Sequence, residues 1–190
     1  MNKMILVAWM IAVALLAGCA GNSEAVLKTA IQTRQDVFQV VQAPQAMHGK
    51  ALLKVEFPVK TFKARIFNTY IKHSDPPYTA IINIDGQSVE LMDEPVLEEL
   101  PGDFKSNPEV GTGWKYVFKK TLQLAPGTHR ITIAIPQSNV VEERELVLNV
   151  GENLLNLAPV YKASVTRYPN YPRFSYGLRG VSLQLNVNVL

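Results

Sequence analysis

Tyr78-Thr79-Ala80-Ile81-Ile82-Asn83-Ile84-Asp85-Gly86-Gln87-Ser88-Val89-Glu90-Leu91 decides the fold class. Two runs of β-branched and apolar residues flank an Asp-Gly pair. A two-residue type I′ turn needs positive φ at both central positions, which Asp tolerates and Gly adopts freely, so the stretch predicts a β-hairpin.

The same period-two alternation extends in both directions. Leu53, Val55 and Phe57 alternate with Lys54 and Glu56; Phe62, Ala64 and Ile66 alternate with Lys63 and Arg65, a strand expected to run towards Ile71. Trp114, Tyr116 and Phe118 continue through Leu122 and Leu124 to Pro126-Gly127, where a tight turn is expected to join them to Ile131, Ile133 and Ile135. Arg144 to Val150 and Asn153 to Tyr161 are further strands. Val181, Leu183, Leu185, Val187 and Val189 against Ser182, Gln184, Asn186 and Asn188 predict a strand with one buried face. Near the start, Ser23 to Ile31 reads as a short helix with Ser23 as its cap, and Val37 to Val41 as a strand. Met92 to Gly113 breaks the pattern with Pro95, Pro101-Gly102, Pro108 and Gly111-Thr112-Gly113, so a long acidic loop is expected there, with Glu94 to Leu100 as a short helix. The fold class predicted is mainly β: an antiparallel β-sandwich of about eight or nine strands over residues 47–190.

Ile82-Asn83-Ile84-Asp85-Gly86 and Leu124-Ala125-Pro126-Gly127-Thr128-His129-Arg130-Ile131 resemble the PEGA and carboxypeptidase-regulatory-like sandwich modules, in which a strand ends in a "DG" turn and a later one begins after "PG-x-H". The resemblance covers about 78–150. It implies a noncatalytic extracytoplasmic module and no site residues. The acidic excursion makes the stretch between the two motifs longer than in those modules.

At the other end of the chain, Lys3 is followed by the uncharged run Met4 to Leu16 and then by Leu16-Ala17-Gly18-Cys19. The run is shorter than the roughly 20 residues that span a bilayer. It resembles the signal peptide and lipobox of bacterial lipoproteins, which implies cleavage after residue 18 and diacylglycerol on Cys19, with residues 19–46 as a lipidated tether and first element. Two or three acyl chains hold a protein firmly where one does so only marginally. Cys19 is the chain's single cysteine, so no disulfide forms within one chain, and lipidation removes a thiol that would otherwise stand unpaired in an oxidising compartment. The alternative is an ordinary buried thiol behind an uncleaved apolar segment. Ala20, where Asp would favour the inner membrane in the bacterial sorting pattern, implies an outer-membrane address facing the periplasm if the host has two membranes.

Charge excludes one partner class. Nineteen Lys and Arg against sixteen Asp and Glu give +3, or +2 without Lys3, too little for a nucleic-acid binder. The distribution is uneven: Asp85, Glu90, Asp93, Glu94, Glu98, Glu99, Asp103 and Glu109 face only Lys105 within their stretch, whereas no acid follows Glu152 and the tail carries Lys162, Arg167, Arg173 and Arg179. Solvated surface, pairing of the two regions within the fold, and a basic patch for lipid headgroups or glycans are all open readings.

Catalytic and metal motifs are not legible. His48, His73 and His129 are scattered and lack a second cysteine, so no metal site and no cofactor are expected. His129 reads as a turn residue bonding nearby backbone. His73-Ser74-Asp75 holds the residue types of a hydrolase triad, but sequence neighbours cannot place the base between nucleophile and acid. Gly111-Thr112-Gly113 lacks the third glycine and following helix of a dinucleotide site. Glu98-Glu99 and Glu142-Glu143 are not distinguished from surface charge.

Tyr161, Arg167, Tyr168, Tyr171, Arg173, Phe174 and Tyr176 form the candidate interface, because tyrosine and arginine supply large contact area at low rotamer cost. The same tyrosines could instead pin a long loop to the body. The expected function is a membrane-anchored, noncatalytic interaction or assembly module of the bacterial cell envelope, with an envelope protein or glycan as partner. The alternatives are a glycan-binding module, or a glycan-acting hydrolase with carboxylates from the acidic stretch.

Overall fold

A computed structural model describes residues 22–42, 49–62, 65–66, 69–70, 78–165 and 170–187. The chain is mainly β, with a short helix α1 (22–30). Its strands are β1 (Phe38–Val40), β2 (Ala51–Phe62), β3 (Arg65–Ile66), β4 (Thr69–Tyr70), β5 (Ala80–Ile84), β6 (Gln87–Leu91), β7 (Val96–Leu100), β8 (Gly111–Leu124), β9 (Gly127–Ile135), β10 (Val140–Leu148), β11 (Gly151–Tyr161) and β12 (Leu178–Val187). A first sheet runs β1-β8-β2-β11-β12 with β7 also on β8, and a second runs β10-β9-β5-β6. Those ten strands exceed the eight or nine expected, and β3 and β4 pair separately as a two-stranded ribbon. All pairings are antiparallel except β2 with β11, which is parallel.

The Asp85-Gly86 hairpin forms as predicted, with φ of 49° and 94° and β5 paired to β6 from Ala80–Leu91 to Ile84–Gln87. Alternation also places the core. Leu53, Val55, Phe57 and Val59 of β2 and Tyr116, Phe118 and Leu122 of β8 are buried in one apolar cluster with Ile82, Ile84, Ile131, Ile133 and Ile135 of the second sheet. Phe57, Phe118, Tyr116 and Tyr78 form a continuous row of ring contacts at 6.0, 5.3 and 5.6 Å between centroids.

Three expectations are corrected. Glu94 to Leu100 is not helical: Val96–Leu100 is a strand, because the N-terminal half of β8 offers an open flank and Leu100↔Gly111 to Val96↔Lys115 pairing fills it. Phe62 ends a twelve-residue β2 rather than opening a new strand; much of the expected continuation to Ile71 lies outside the described residues. The Pro126-Gly127 turn does not make a hairpin. Both flanks of β8 are taken by β2 and by β1 and β7, and both flanks of β9 by β5 and β10, so the chain crosses here from the first sheet to the second. It returns at Asn149-Val150, between β10 and β11.

A polar side chain fastens each crossing. His129 has Nδ1 2.7 Å from Asp85 Oδ2 and Nε2 2.9 Å from the Ala125 carbonyl. Asn153, wholly buried, accepts from Asn149 N at 2.9 Å and donates to Asn149 O at 2.8 Å. On one flank the two sheets are bridged by Gln87, whose Oε1 accepts from Val37 N and Phe38 N at 2.8 and 3.0 Å while its Nε2 donates to Phe38 O at 2.9 Å. β10 and β12 approach on the other flank without a ladder.

Helix α1 is docked rather than trailing. Val26 and Thr29 are buried, Asn83 Nδ2 donates to Thr29 O at 3.1 Å and Ser88 Oγ to Ala30 O at 3.2 Å, capping carbonyls that the helix end leaves open. Thr33 N and Arg34 N then donate to Gly86 O at 2.8 and 3.1 Å. Ser23, read as a cap, is itself helical, with its hydroxyl 3.4 Å from Asn139 Oδ1.

Candidate interaction surface

Strand alternation sends Lys60 to the face of β2 opposite Val59, where solvent would be expected, yet its side chain is fully buried. Loop 101–110 and the 3₁₀ turn Phe174–Tyr176 flank that position. The ammonium donates to Glu109 O at 2.9 Å and Gly111 O at 2.7 Å, lies 2.9 Å from Glu98 Oε2, and sits 5.2 Å from the centre of the Phe174 ring. Two carbonyls, a carboxylate and a ring face replace its water shell. A buried ammonium persists only when compensated in this way.

Glu109 ties the cluster together. Its Oε1 accepts from the Tyr161 hydroxyl at 2.7 Å, its Oε2 pairs with Lys115 Nζ, and the Tyr161 oxygen accepts from Lys60 N at 3.0 Å. Burial, followed by the Glu109 hydrogen bond and charge, pushes the Tyr161 phenol well above its ordinary range. The Lys60 bond also explains how β2 accommodates Pro58. Backbone N–H groups two apart point the same way, so the missing N–H of Pro58 faces the β11 side, beyond the last parallel pair at Glu56↔Asn156.

Above this base the arginine- and tyrosine-bearing segment folds back on itself. Arg173 N donates to Lys162 O and Phe174 N to Pro108 O, both at 3.0 Å, and Lys162 N donates to Gly177 O at 2.9 Å. Phe174 is buried so closely against Gly113 that a Cβ there would stand 2.7 Å from its ring and 2.7 Å from Thr61 O. Outermost is a three-membered stack: the Arg173 guanidinium lies 4.7 Å from the Phe104 ring centre, and Phe104 meets Tyr171 edge-on at 6.0 Å. Arg173 Nε is buried with no hydrogen-bond acceptor among the described residues, so the ring is what holds the guanidinium.

The predicted interface residues therefore separate into layers. Tyr161 and Phe174 are buried, Tyr171 and Arg173 are half-buried and joined through Phe104, and Tyr176 is 38% exposed. Arg167, Tyr168 and Cys19 lie outside the described residues, as do His48 and His73-Ser74-Asp75. Sequence reasoning missed Phe104, Lys60 and Glu109. The one available signal was Phe104 itself, a single aromatic within an acidic, Pro- and Gly-punctuated run.

The acids of that run are largely engaged. Asp93 Oδ2 accepts from Val117 N at 2.9 Å on the flank of β8 between β7 and β1, Asp103 Oδ1 accepts from Lys105 N at 2.9 Å, and Asp85 Oδ1 accepts from Arg130 N at 2.9 Å. Glu98 and Glu109 face Lys60, Lys115 and Tyr161. Among the described residues no three His, Cys, Asp or Glu side chains group to hold a metal ion, and no helix is long and apolar enough to cross a membrane. A cleft of about 550 Å³ lies between α1 and the second sheet, lined by Lys28, Thr33, Asn83, Arg130, Thr132 and Glu143. Comparison with family models, curated proteins and solved structures finds no match for the chain.

Proposed function

We propose that the chain is a noncatalytic interaction module of the bacterial cell envelope: a β-sandwich lipidated at Cys19, facing the periplasm from the outer membrane where the host has one, and contacting an envelope protein through Phe104, Tyr171, Arg173 and Tyr176. The observation carrying this reading is the Arg173–Phe104–Tyr171 stack. Large, partly exposed aromatics and an arginine, pre-ordered on a buried polar base, offer contact area at little further entropic cost. The two facing sheets with one shared core support the sandwich reading. The Asp85–His129 bond, linking the "DG" turn to the "PG-x-H" corner, supports the likeness to PEGA-type modules. Against a glycan-acting hydrolase stands the engagement of Asp85, Asp93, Glu98, Asp103 and Glu109 with a histidine, lysines, a tyrosine and backbone amides.

The test compares wild type with Tyr171→Ala and Arg173→Ala by affinity purification from solubilised envelopes and by thermal melting. Loss of a co-purifying protein with melting shifted by only a few degrees supports the reading. An unchanged set of partners refutes it, and binding to isolated glycan that depends on the same two residues transfers the surface to the glycan-binding reading. Labelling with a palmitate analogue in wild type and Cys19→Ser tests the anchor separately.

A further inference from the structure

Resting on the proposed anchor at Cys19, we infer that α1 is a membrane-contacting element, placing Leu27 and, one residue past the helix, Ile31 in the bilayer interface and so fixing which side of the β body faces the lipid. The row is exposed, Leu27 by 67% and Ile31 by 56%, although both are large and apolar. At roughly 100° per residue, Leu27 lies well away from Val26 and Thr29, the pair that docks the helix. Lys28 beside the row is 70% exposed and paired with Glu24 at 2.7 Å, which leaves this side of the helix without an uncompensated charge to oppose insertion.

Distance identifies lipid as the occupant. Only Ala20 and Gly21 separate Cys19 from residue 22, the first described residue of α1, so the chain spans at most roughly 11 Å between acyl attachment and that residue. The helix cannot swing clear of the body to relieve this closeness, because its end is bonded to Asn83, Ser88 and Gly86 of the β5–β6 hairpin. An interfacial helix buries its apolar face about 5–10 Å into the headgroup and acyl boundary, a depth that the short link permits. The Arg173–Phe104–Tyr171 stack rests on the first sheet, whereas α1 lies on the second. The proposed partner surface is thereby left free of the membrane.

Thioether linkage at Cys19 would leave Leu27→Cys as the only free thiol in the full-length lipidated protein. That variant, and Gln184→Cys on exposed β12 as control, would be purified from envelopes, labelled with an environment-sensitive fluorophore and reconstituted into vesicles of phosphatidylethanolamine and phosphatidylglycerol with brominated acyl chains. The expected result is loss of most of the emission at position 27 and little loss at position 184. If intact mass shows the acyl groups and the protein floats with the vesicles, yet the position 27 label stays as open to aqueous iodide as in detergent-free buffer, the orientation is overturned while the anchor stands. If mass and flotation show no lipid, both fall.

Discussion

Replacing Lys60 by methionine isolates what the buried cluster contributes. Met keeps the unbranched stem and a polarizable contact with Phe174 but removes every donor of the ammonium. The carbonyls of Glu109 and Gly111 then lose their Lys60 donor, at about 1–3 kcal/mol each where water does not replace it. The Glu98 side chain is 37% exposed, so its orphaned charge partly rehydrates and falls short of the roughly 3–5 kcal/mol seen when a fully buried pair is broken. Relief of ammonium desolvation offsets part of the sum. The net expectation is a loss of about 3 kcal/mol, which for a chain of this size lowers the melting temperature by roughly 6–12 °C.

Lys54→Met is the matched control. Its partner Glu152 is nearer, at 2.6 Å, but the two side chains are 34% and 38% exposed, so less than about 1 kcal/mol is expected. Circular dichroism melts of both variants, with hydrogen exchange read on 101–114 against 80–91, check the argument. Lys60→Met should lose protection first at Gly111 to Trp114, while the β5–β6 hairpin keeps it. Equal melting of the two variants, or unchanged protection at Gly111, would show that the cluster is incidental to how loop 101–110 is held.

Two further outcomes follow from the same geometry. Gln87→Ala removes three hydrogen bonds to the backbone of Val37 and Phe38 and should cost about 2–3 kcal/mol, with Val37 and Phe38 amides exchanging first; urea titration with exchange mass spectrometry reads both. Alkaline titration should unfold the chain steeply. Burial raises the Tyr78 phenol from 10.0 to about 12 and also raises Tyr116 and Tyr161, so the folded state holds these protons when the unfolded state has released them. Stability is therefore fully present below about pH 10 and falls above it, by about 3 kcal/mol for Tyr78 alone across the window from 10 to about 12. Tyr78→Phe should flatten that loss in pH-dependent urea midpoints, and an unchanged slope would show that Tyr78 does not drive it.

Strand positions were legible wherever one face is buried. Leu53-Val55-Phe57 and Ile82-Ile84 alternate because the pleat sends every second side chain into the shared core, and Asp85-Gly86 declares its turn because few residue pairs accept positive φ twice. Partnership between strands was not legible. Nothing local in Pro126-Gly127 tells a hairpin from a crossing between sheets, since the difference lies in whether the flanks of β8 and β9 are already occupied. The strand at Val96–Leu100 escaped for the same reason: its pairing with β8 overrides a local composition that also suits a helix. At the candidate surface, Tyr171 and Arg173 were readable as contact types, whereas Lys60 reads as an ordinary solvent-facing lysine until loop 101–110 and Phe174 are folded beside it.

The uneven charge along the chain acquires a physical meaning from these pairings. Among the described residues the acidic excursion does not find its cations in the basic tail. Glu98 and Glu109 meet Lys60 and Lys115, which belong to β2 and β8, and Asp93 meets a backbone amide of β8. Arg173 of the tail, with no carboxylate within bonding distance among the described residues, rests instead on Phe104, an aromatic of the acidic excursion. A ring attracts a guanidinium more weakly than a carboxylate does, and it leaves the positive charge uncancelled. Acid and base in this region thus differ in what they touch: Glu98, Glu109 and Asp93 bind groups of β2 and β8, and half-buried Arg173 lies on a ring that does not neutralise it. Exchanging Phe104 for glutamate would pair that charge and remove a contact ring together, so partner capture in affinity purification should be lost as in Arg173→Ala, and capture that survives it would show that the uncancelled charge plays no part in binding.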